Sequence, residues 1–251
     1  MGSSQINNDS RETTPIKSVS IVLPIYNEEE CIEGVVEEIV GAAGKLPYDV
    51  EILMIDDGSS DSTPEILTKL AKAHDGARFL PLPKNMGQSA AMLAGMRQSK
   101  ADVIVTMDAD GQNDPADIAS LLEAIDGYDC VCGFRPNRQD SEAKRLGSKL
   151  ANAVRSRFLN DGITDTGCSL KAVRREFTTE LPTWNGIHRF FPVFFQLQGA
   201  TVNQVPTNHR TRSAGESKYT NLGRLKKTIW DLFAMRWMAS RWIDLREVPR
   251  G

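Results

Sequence analysis

Val103-Ile-Val-Thr-Met-Asp-Ala-Asp-Gly-Gln112 decides the fold. A β-branched, apolar run, Val103–Met107, leads straight into two carboxylates and a glycine. An unbroken apolar run of this length suits a strand covered on both faces, as in a mostly parallel sheet. Polar groups at its carboxyl end fall where open α/β sheets bind ligands. Asp108 and Asp110 are two residues apart, so continued strand geometry brings both carboxylates out on one side. Two acids so placed repel unless a divalent cation lies between them. Mg²⁺ or Mn²⁺, which keeps waters and takes phosphate oxygens, needs few protein carboxylates.

The same strand, turn and helix pattern repeats on either side. Strands are expected at Val19–Leu23, Glu51–Ile55, Arg78–Leu80 and Cys130–Gly133, with helices at Glu29–Val40, Pro64–Ala73, Gln88–Ser99 and Pro115–Ile125. Ser62 or Thr63 can cap the second helix, and Asp114-Pro115 opens the fourth. Two further polar clusters close buried strands: Pro24-Ile-Tyr-Asn-Glu28 and Asp56-Asp-Gly-Ser-Ser-Asp61. Acidic turns at strand ends often do no more than cap helices. Three in order, each ending a buried strand, point to a site. Neither G-x-x-x-x-G-K-[ST] nor G-x-G-x-x-G occurs, so phosphate must be held by metal and basic side chains.

After Gly133 the alternation stops. A helix at Ala143–Leu159, a strand near Cys168–Val173, a helix around Phe190–Leu197, an edge strand at Val202–Val205 and a mobile loop over Asn208–Thr220 are expected. The last helix, Leu222 to about Trp242, mixes Leu225, Ile229, Phe233 and Trp237 with Arg224, Lys226, Lys227 and Arg236. That mixture fits a helix lying in a membrane interface, or one packed on the protein's own body or on a membrane-protein partner.

Charge divides as structure does. The 251 residues carry a net −3, but residues 1–130 hold 9 basic and 23 acidic side chains (−14), and residues 131–251 hold 21 and 10 (+11). The total argues against a nucleic-acid partner, while an acidic half suits a metal and a basic half an anion. The four cysteines, Cys31, Cys130, Cys132 and Cys168, form no C-x-x-C pair and read as reduced, mostly buried thiols of a cytoplasmic protein. Met1 to Lys17 is polar and lacks a signal peptide's apolar stretch, so a mobile tail is expected. No apolar run approaches the ~20 residues of a membrane span. His74 should be a surface residue, His188 a structural one in preference to one that approaches the acceptor, and Phe190–Phe195 core in preference to a guide for a lipid tail.

In order, Val19–Leu23 with Pro24-x-Tyr-Asn-Glu28, Ile55-Asp-Asp-Gly-Ser-Ser-Asp61, Lys84-Asn-Met-Gly87 and Met107-Asp-Ala-Asp-Gly-Gln112 resemble the motifs of family 2 glycosyltransferases. Within that family the chain is similar to the polyprenyl-phosphate branch, which includes dolichyl-phosphate mannosyltransferase. The resemblance implies a GT-A fold: a Rossmann-like, mostly parallel central sheet flanked by helices. It divides the chain into a tail at 1–17, a nucleotide-binding half at 18–133, an acceptor half at 134–220 and an amphipathic helical segment at 221–251. It implies that Pro24, Tyr26, Glu28, Asp56, Lys84 and Gly87 bind the nucleotide-diphosphate sugar with Asp108, and that Asp108, Asp110 and Gln112 hold Mg²⁺ or Mn²⁺. Asp57 matches the second acid of its motif, or serves only as a turn residue.

Arg135, Arg145, Arg210, Arg212 and Lys218 match that branch's basic positions for the acceptor, a polyprenyl phosphate. The implied reaction is an inverting displacement at the anomeric carbon by a phosphate oxygen, with Asp110, Asp165 and Arg212 as the residues closest to the chemistry. Phosphate's second pKa of about 6 leaves little need for a general base. Asp165 aligns with the acid of an Asp-x-Thr-Ser-Gly-Phe-Arg pattern, from which Cys168, Ser169, Leu170 and Lys171 depart. The place of work would be the cytoplasmic face of a membrane, with the chain peripheral to it. Two other readings stay open: a glycan or other hydroxyl acceptor with Asp165 as base, and a non-catalytic nucleotide-sugar-binding subunit of a membrane complex.

Overall fold

The computed structural model describes residues 14–136, 152–211 and 221–243, without side chains for 221–229. Among these residues, strands β1 (Ser18–Ile25), β2 (Asp49–Asp56), β3 (Ala77–Pro81), β4 (Val103–Thr106), β5 (Cys130–Phe134), β6 (Lys171–Arg174) and β7 (Val202–Pro206) form a single sheet. Its order is β3-β2-β1-β4-β6-β5-β7. The first four strands are parallel, and β6 inserts antiparallel between β4 and β5. The helices are α1 (Ile32–Ala43), α2 (Thr63–Ala73), α3 (Gln88–Gln98), α4 (Asp117–Ala124), α5 (152–159), α6 (Phe191–Leu197) and α7 (Asn221–Ser240).

Both faces of the sheet are covered, as the unbroken apolar strands require. Ile21, Leu23 and Ile25 of β1 face one core layer with Ile32 and Ile39 of α1, Leu67 of α2 and Leu121 of α4. Val22, between them, faces the other layer, where Ala91 and Met96 of α3 meet Phe190, Phe191, Phe194 and Phe195. The phenylalanine cluster is thus core, each ring no more than 1% exposed. Cys130 and Cys132 also lie in this layer, their sulfurs 3.8 Å apart, and all four cysteines are free thiols.

Local chemistry moves several boundaries. Helix α1 starts at Ile32 instead of Glu29, because Asn27 adopts φ 51° and the Glu28 carbonyl accepts the Cys31 and Ile32 amides. Neither Ser62 nor Thr63 caps α2; Asp61 Oδ1 takes the Thr63 amide at 3.0 Å, and Thr63 Oγ1 instead accepts from the Glu28 amide. His74 is paired with Glu37 at 2.8 Å and only 21% exposed, less open than expected. Residues 14–17 run along the sheet, with the Lys17 amide on Asp102 and the Thr14 carbonyl on Arg174. The rest of the expected tail, residues 1–13, lies outside the described residues.

Helix α3 aims Gln88 at the site because it lies flat on β1 and β2. A methyl built on Gly95 would strike Val22 Cγ1 and stand 3.2 Å from Ile55 Cγ1. Gly95→Ala therefore sets overpacking of about 1–3 kcal/mol against a helix-propensity gain of about 1 kcal/mol. A net loss of stability in urea unfolding is expected; a net gain would show that α3 can lift from the sheet at no cost.

Candidate active site

Parallel register brings the carboxyl ends of β2, β1 and β4 to one edge, with Asp56 beside Ile25 and Thr106 beside Val22. Asp56 is 3% exposed and takes the Ser59 amide on both oxygens, at 3.2 and 3.3 Å. Asn27 reaches the same turn: its amide binds Ser59 Oγ and its side-chain oxygen takes the Ser60 amide. Pro24 lies near the end of β1, beside Ile55, and Tyr26 and Glu28 follow the strand, so the expected nucleoside residues share the edge formed by β1 and β2.

Asp57 does more than turn the chain. Its oxygens receive the amides of Met86 at 2.7 Å and Gly87 at 2.8 Å, which pins the Lys84–Gly87 stretch over the strand ends. Burial pushes its carboxyl up, and the two amides pull it back. Gly58, at φ 70°, permits the approach: a Cβ there would lie 2.5 Å from the Lys84 carbonyl carbon.

Asp108 and Asp110 stand at the end of β4, both partly exposed. Gln88 Nε2 donates to Asp108 Oδ1 at 2.7 Å, and the Gln112 amide donates to Asp110 Oδ1 at 3.1 Å. Ser169 shapes the turn from below, its hydroxyl accepting the Asp108 amide and the Asn113 side-chain amide. Burial first, then the Asp110 charge, push Asp108 up to about 6, against the pull of Ser169, Lys171 and Arg135. A carboxyl raised by burial and by the charge of a neighbouring acid suits a divalent cation beside it. Among the described residues no third His, Cys, Asp or Glu joins them. Such a cation would draw its remaining ligands from water, a diphosphate or the Gln112 side chain.

Across this edge Arg135, just after β5, makes a bidentate pair with Asp165, Nε to Oδ2 at 2.8 Å and Nη2 to Oδ1 at 3.0 Å. The two side chains are only 12% and 8% exposed. Arg210 is placed elsewhere. It donates to Glu38 of α1 and to Asp114, while its backbone amide donates to the Gln112 carbonyl and His209 pairs with Asn113 in an isolated β-bridge. Arg145, Arg212 and Lys218 lie outside the described residues. Reasoning from sequence left out Gln88 and Ser169, which contact the acid turn. The only sequence signal was position: Gln88 directly follows Gly87, and Ser169 falls where the chain departs from the family pattern.

Comparison with known proteins agrees with this geometry. The family model described as glycosyl transferase family 2 matches residues 20–181. An undecaprenyl-phosphate 4-deoxy-4-formamido-L-arabinose transferase of Pseudomonas fluorescens is 38% identical over 221 residues, 87% of this chain and 64% of that one. One from Salmonella dublin is 36% identical over 223 residues, 88% of this chain and 68% of its own. The chain therefore spans about two thirds of the length of these relatives. Glucosyl-3-phosphoglycerate synthase from Mycobacterium tuberculosis has a similar fold, with TM-score 0.66, 20% identity, and coverage of 91% of this chain and 82% of that one. The same enzyme in complex with Mn²⁺, uridine-diphosphate-glucose and phosphoglyceric acid gives TM-score 0.65 at 21% identity, covering 91% and 81%. The chain belongs to glycosyl transferase family 2, and its fold is that of the GT-A enzymes.

The raised Asp108 carboxyl gives a signed expectation. A folded-state pKa above the ordinary carboxylate value of 3.8 means that the neutral form is favoured by folding; that contribution is complete below 3.8 and lost as pH rises through about 6. Without divalent cation at pH 8, Asp108→Asn should stabilise the protein by on the order of 1–2 kcal/mol. The gain should vanish near pH 4, and Mn²⁺-dependent binding of a nucleoside diphosphate should be lost. Thermal unfolding at the two pH values checks the sign.

Proposed function

We propose that this chain transfers a sugar from a uridine-diphosphate sugar to a polyprenyl phosphate, with a divalent cation, Mg²⁺ or Mn²⁺, held by Asp108, Asp110 and Gln112. The observation that carries the reading is the meeting of two charge systems at one sheet edge: the acid pair after β4, and the Arg135–Asp165 pair whose cation acts on Asp108. Relatives named for transfer to undecaprenyl phosphate, and a similar fold binding UDP-glucose with Mn²⁺, support it.

In this mechanism the nucleoside rests over β1 and β2 and the diphosphate at Asp108 and Asp110. The cation, when bound, offsets the negative charge that builds on the departing diphosphate. An acceptor phosphate oxygen attacks the anomeric carbon in line as the bond to the diphosphate breaks, with inversion. UDP leaves with the bonding electron pair. Arg135 supplies a fixed guanidinium for the acceptor phosphate. Asp165, with both oxygens engaged by Arg135, orients that guanidinium; this favours a phosphate acceptor over a hydroxyl acceptor needing Asp165 as base.

The proposal includes a peripheral position on the cytoplasmic face of a membrane. Its support is the outer surface of α7, where Trp230, Phe233 and Trp237 are 68%, 55% and 64% exposed beside exposed Arg236 and Arg241. Aromatic and basic side chains together suit an anionic lipid surface. No helix among the described residues is long and apolar enough to cross a membrane.

Purified protein given Mn²⁺, a panel of UDP-sugars and a short polyprenyl phosphate should form lipid-linked sugar; inactivity with every donor would overturn the reading. Arg135→Lys, which keeps the charge but loses the fork, should raise the KM for polyprenyl phosphate about tenfold or more and leave UDP affinity unchanged. Unchanged acceptor KM would remove Arg135 from the acceptor site.

A further inference from the structure

After β7 the chain crosses the turn that carries the metal acids, and it does so through a series of paired contacts. The Asn208 amide donates to Asp117 Oδ2 at 2.6 Å in the first turn of α4, and its side-chain amide donates to Oδ1 at 3.3 Å. His209 pairs with Asn113, and the Arg210 amide donates to the Gln112 carbonyl at 2.9 Å. The Arg210 guanidinium then divides its fork. Nη2 donates to Asp114 Oδ1 at 2.9 Å, just beyond the acids, and Nη1 donates to Glu38 Oε2 at 2.5 Å, on α1. One side chain therefore joins the far side of the acid turn to a helix that lies across a gap from it.

That gap gives the contact its purpose. A cavity of about 270 Å³ separates Glu30, Cys31 and Glu38 of the α1 region from Gly111 and Asn113 of the turn, with Arg210 on its wall. A void supplies no dispersion contacts, so the turn is not packed down onto α1 there. The Cys31 thiol reaches the near side of the turn, on the Ala109 carbonyl at 3.6 Å, and Arg210 holds the far side. Gln112 lies between. Its amide donates to Asp110 Oδ1 and its carbonyl accepts from the Arg210 amide, so its backbone is held on both sides and its side chain starts from a fixed base. We infer that Arg210 is a positioning residue of the metal site, a staple between α1 and the acid turn that keeps Gln112 where a divalent cation can take it, and not a ligand of the acceptor phosphate. The inference rests on the reading of a UDP-sugar and cation at Asp108, Asp110 and Gln112, and deepens it.

The two roles for Arg210 predict opposite effects of freeing it. Glu38 is exposed on α1, so Glu38→Gln releases one arm of the guanidinium without touching the acids. A staple is weakened by that change, whereas a cation meant for the acceptor phosphate gains by losing a competing carboxylate. Mn²⁺ binding in the presence of UDP, followed by electron paramagnetic resonance, should be weaker by roughly fivefold in Arg210→Met, the scale of two exposed ion pairs, and by about twofold in Glu38→Gln. The double variant should match Arg210→Met, because both changes cut the same contact. At saturating Mn²⁺ the KM for a short polyprenyl phosphate should stay at the wild-type value, and the metal-free proteins should unfold within about 4 °C of one another. Unchanged Mn²⁺ binding in Arg210→Met would overturn the inference and leave an ordinary surface pair. Losses that add in the double variant would overturn it as well. So would a higher acceptor KM in Arg210→Met with a lower one in Glu38→Gln, which would return Arg210 to the acceptor phosphate. Wild type that binds no Mn²⁺ with UDP would instead overturn the metal reading itself, and this inference with it.

Discussion

The repulsion between Asp108 and Asp110 is the constraint around which the site is arranged. Burial at the end of the strand, and after it the charge of Asp110, raise the cost of ionising Asp108, whose pKa rises to about 6. Neighbours moderate that cost without removing it. Gln88 donates to Asp108 from α3, Gln112 donates to Asp110 from the same turn, and Ser169 fixes the backbone beneath. Each of these donors is neutral. Beyond the distant charges of Lys171 and Arg135, the pair keeps negative charge that suits the divalent cation of the proposed function.

That arrangement explains why β6 runs against its neighbours. Thr106 of β4 donates to the Ser169 carbonyl at 2.6 Å in a buried contact, and Lys171 Nζ reaches back to the Cys168 carbonyl. The chain thus enters β6 by passing under the acid turn before pairing with β4 and β5. A parallel strand would begin at the opposite edge and could not put Ser169 beneath Asp108. The departures at Cys168–Lys171 lie in this floor, where backbone contacts to Thr106 and Lys171 set the path and Ser169 supplies its hydroxyl to the turn.

The parallel half was legible because each strand carries its own signal: an apolar run, then a polar cluster at the carboxyl end. The acid pair and the Asp56 turn were readable by the same logic, whereas Lys84–Gly87 stood out only through the family resemblance. What sequence could not give depended on contacts across the chain. Asp57 looked like a turn residue until Met86 and Gly87, about 30 positions on, supplied their amides. Asp61, one position ahead of the Ser62 N-cap, takes the Thr63 amide, and the Thr63 hydroxyl is turned to the Glu28 amide, 35 residues away. The contact between Ser89 and His188 carries no local signal, since the two lie 99 residues apart.

The basic half shows the limit of counting charges. The sum of +11 over residues 131–251 suggested a surface poised for an anion. In the described structure several of these cations are committed to partners within the protein, some buried and some at the surface. Arg155 pairs with buried Asp161, Arg174 bonds the Thr14 and Tyr128 carbonyls, Arg189 faces Asp231, and Arg210 bridges Glu38 and Asp114. These contacts join α1, the sheet and α7 to the acceptor half. A net charge therefore records how many cations a segment holds, but the field at a site depends on which of them are left uncommitted. Arg135 is paired too, yet its partner lies at the same edge as the acid pair, and its charge is felt at Asp108. A guanidinium anchored through one side of its fork keeps its remaining N–H groups fixed in direction, so the Asp165 pair supplies an oriented donor where a solvent-facing arginine would supply only charge.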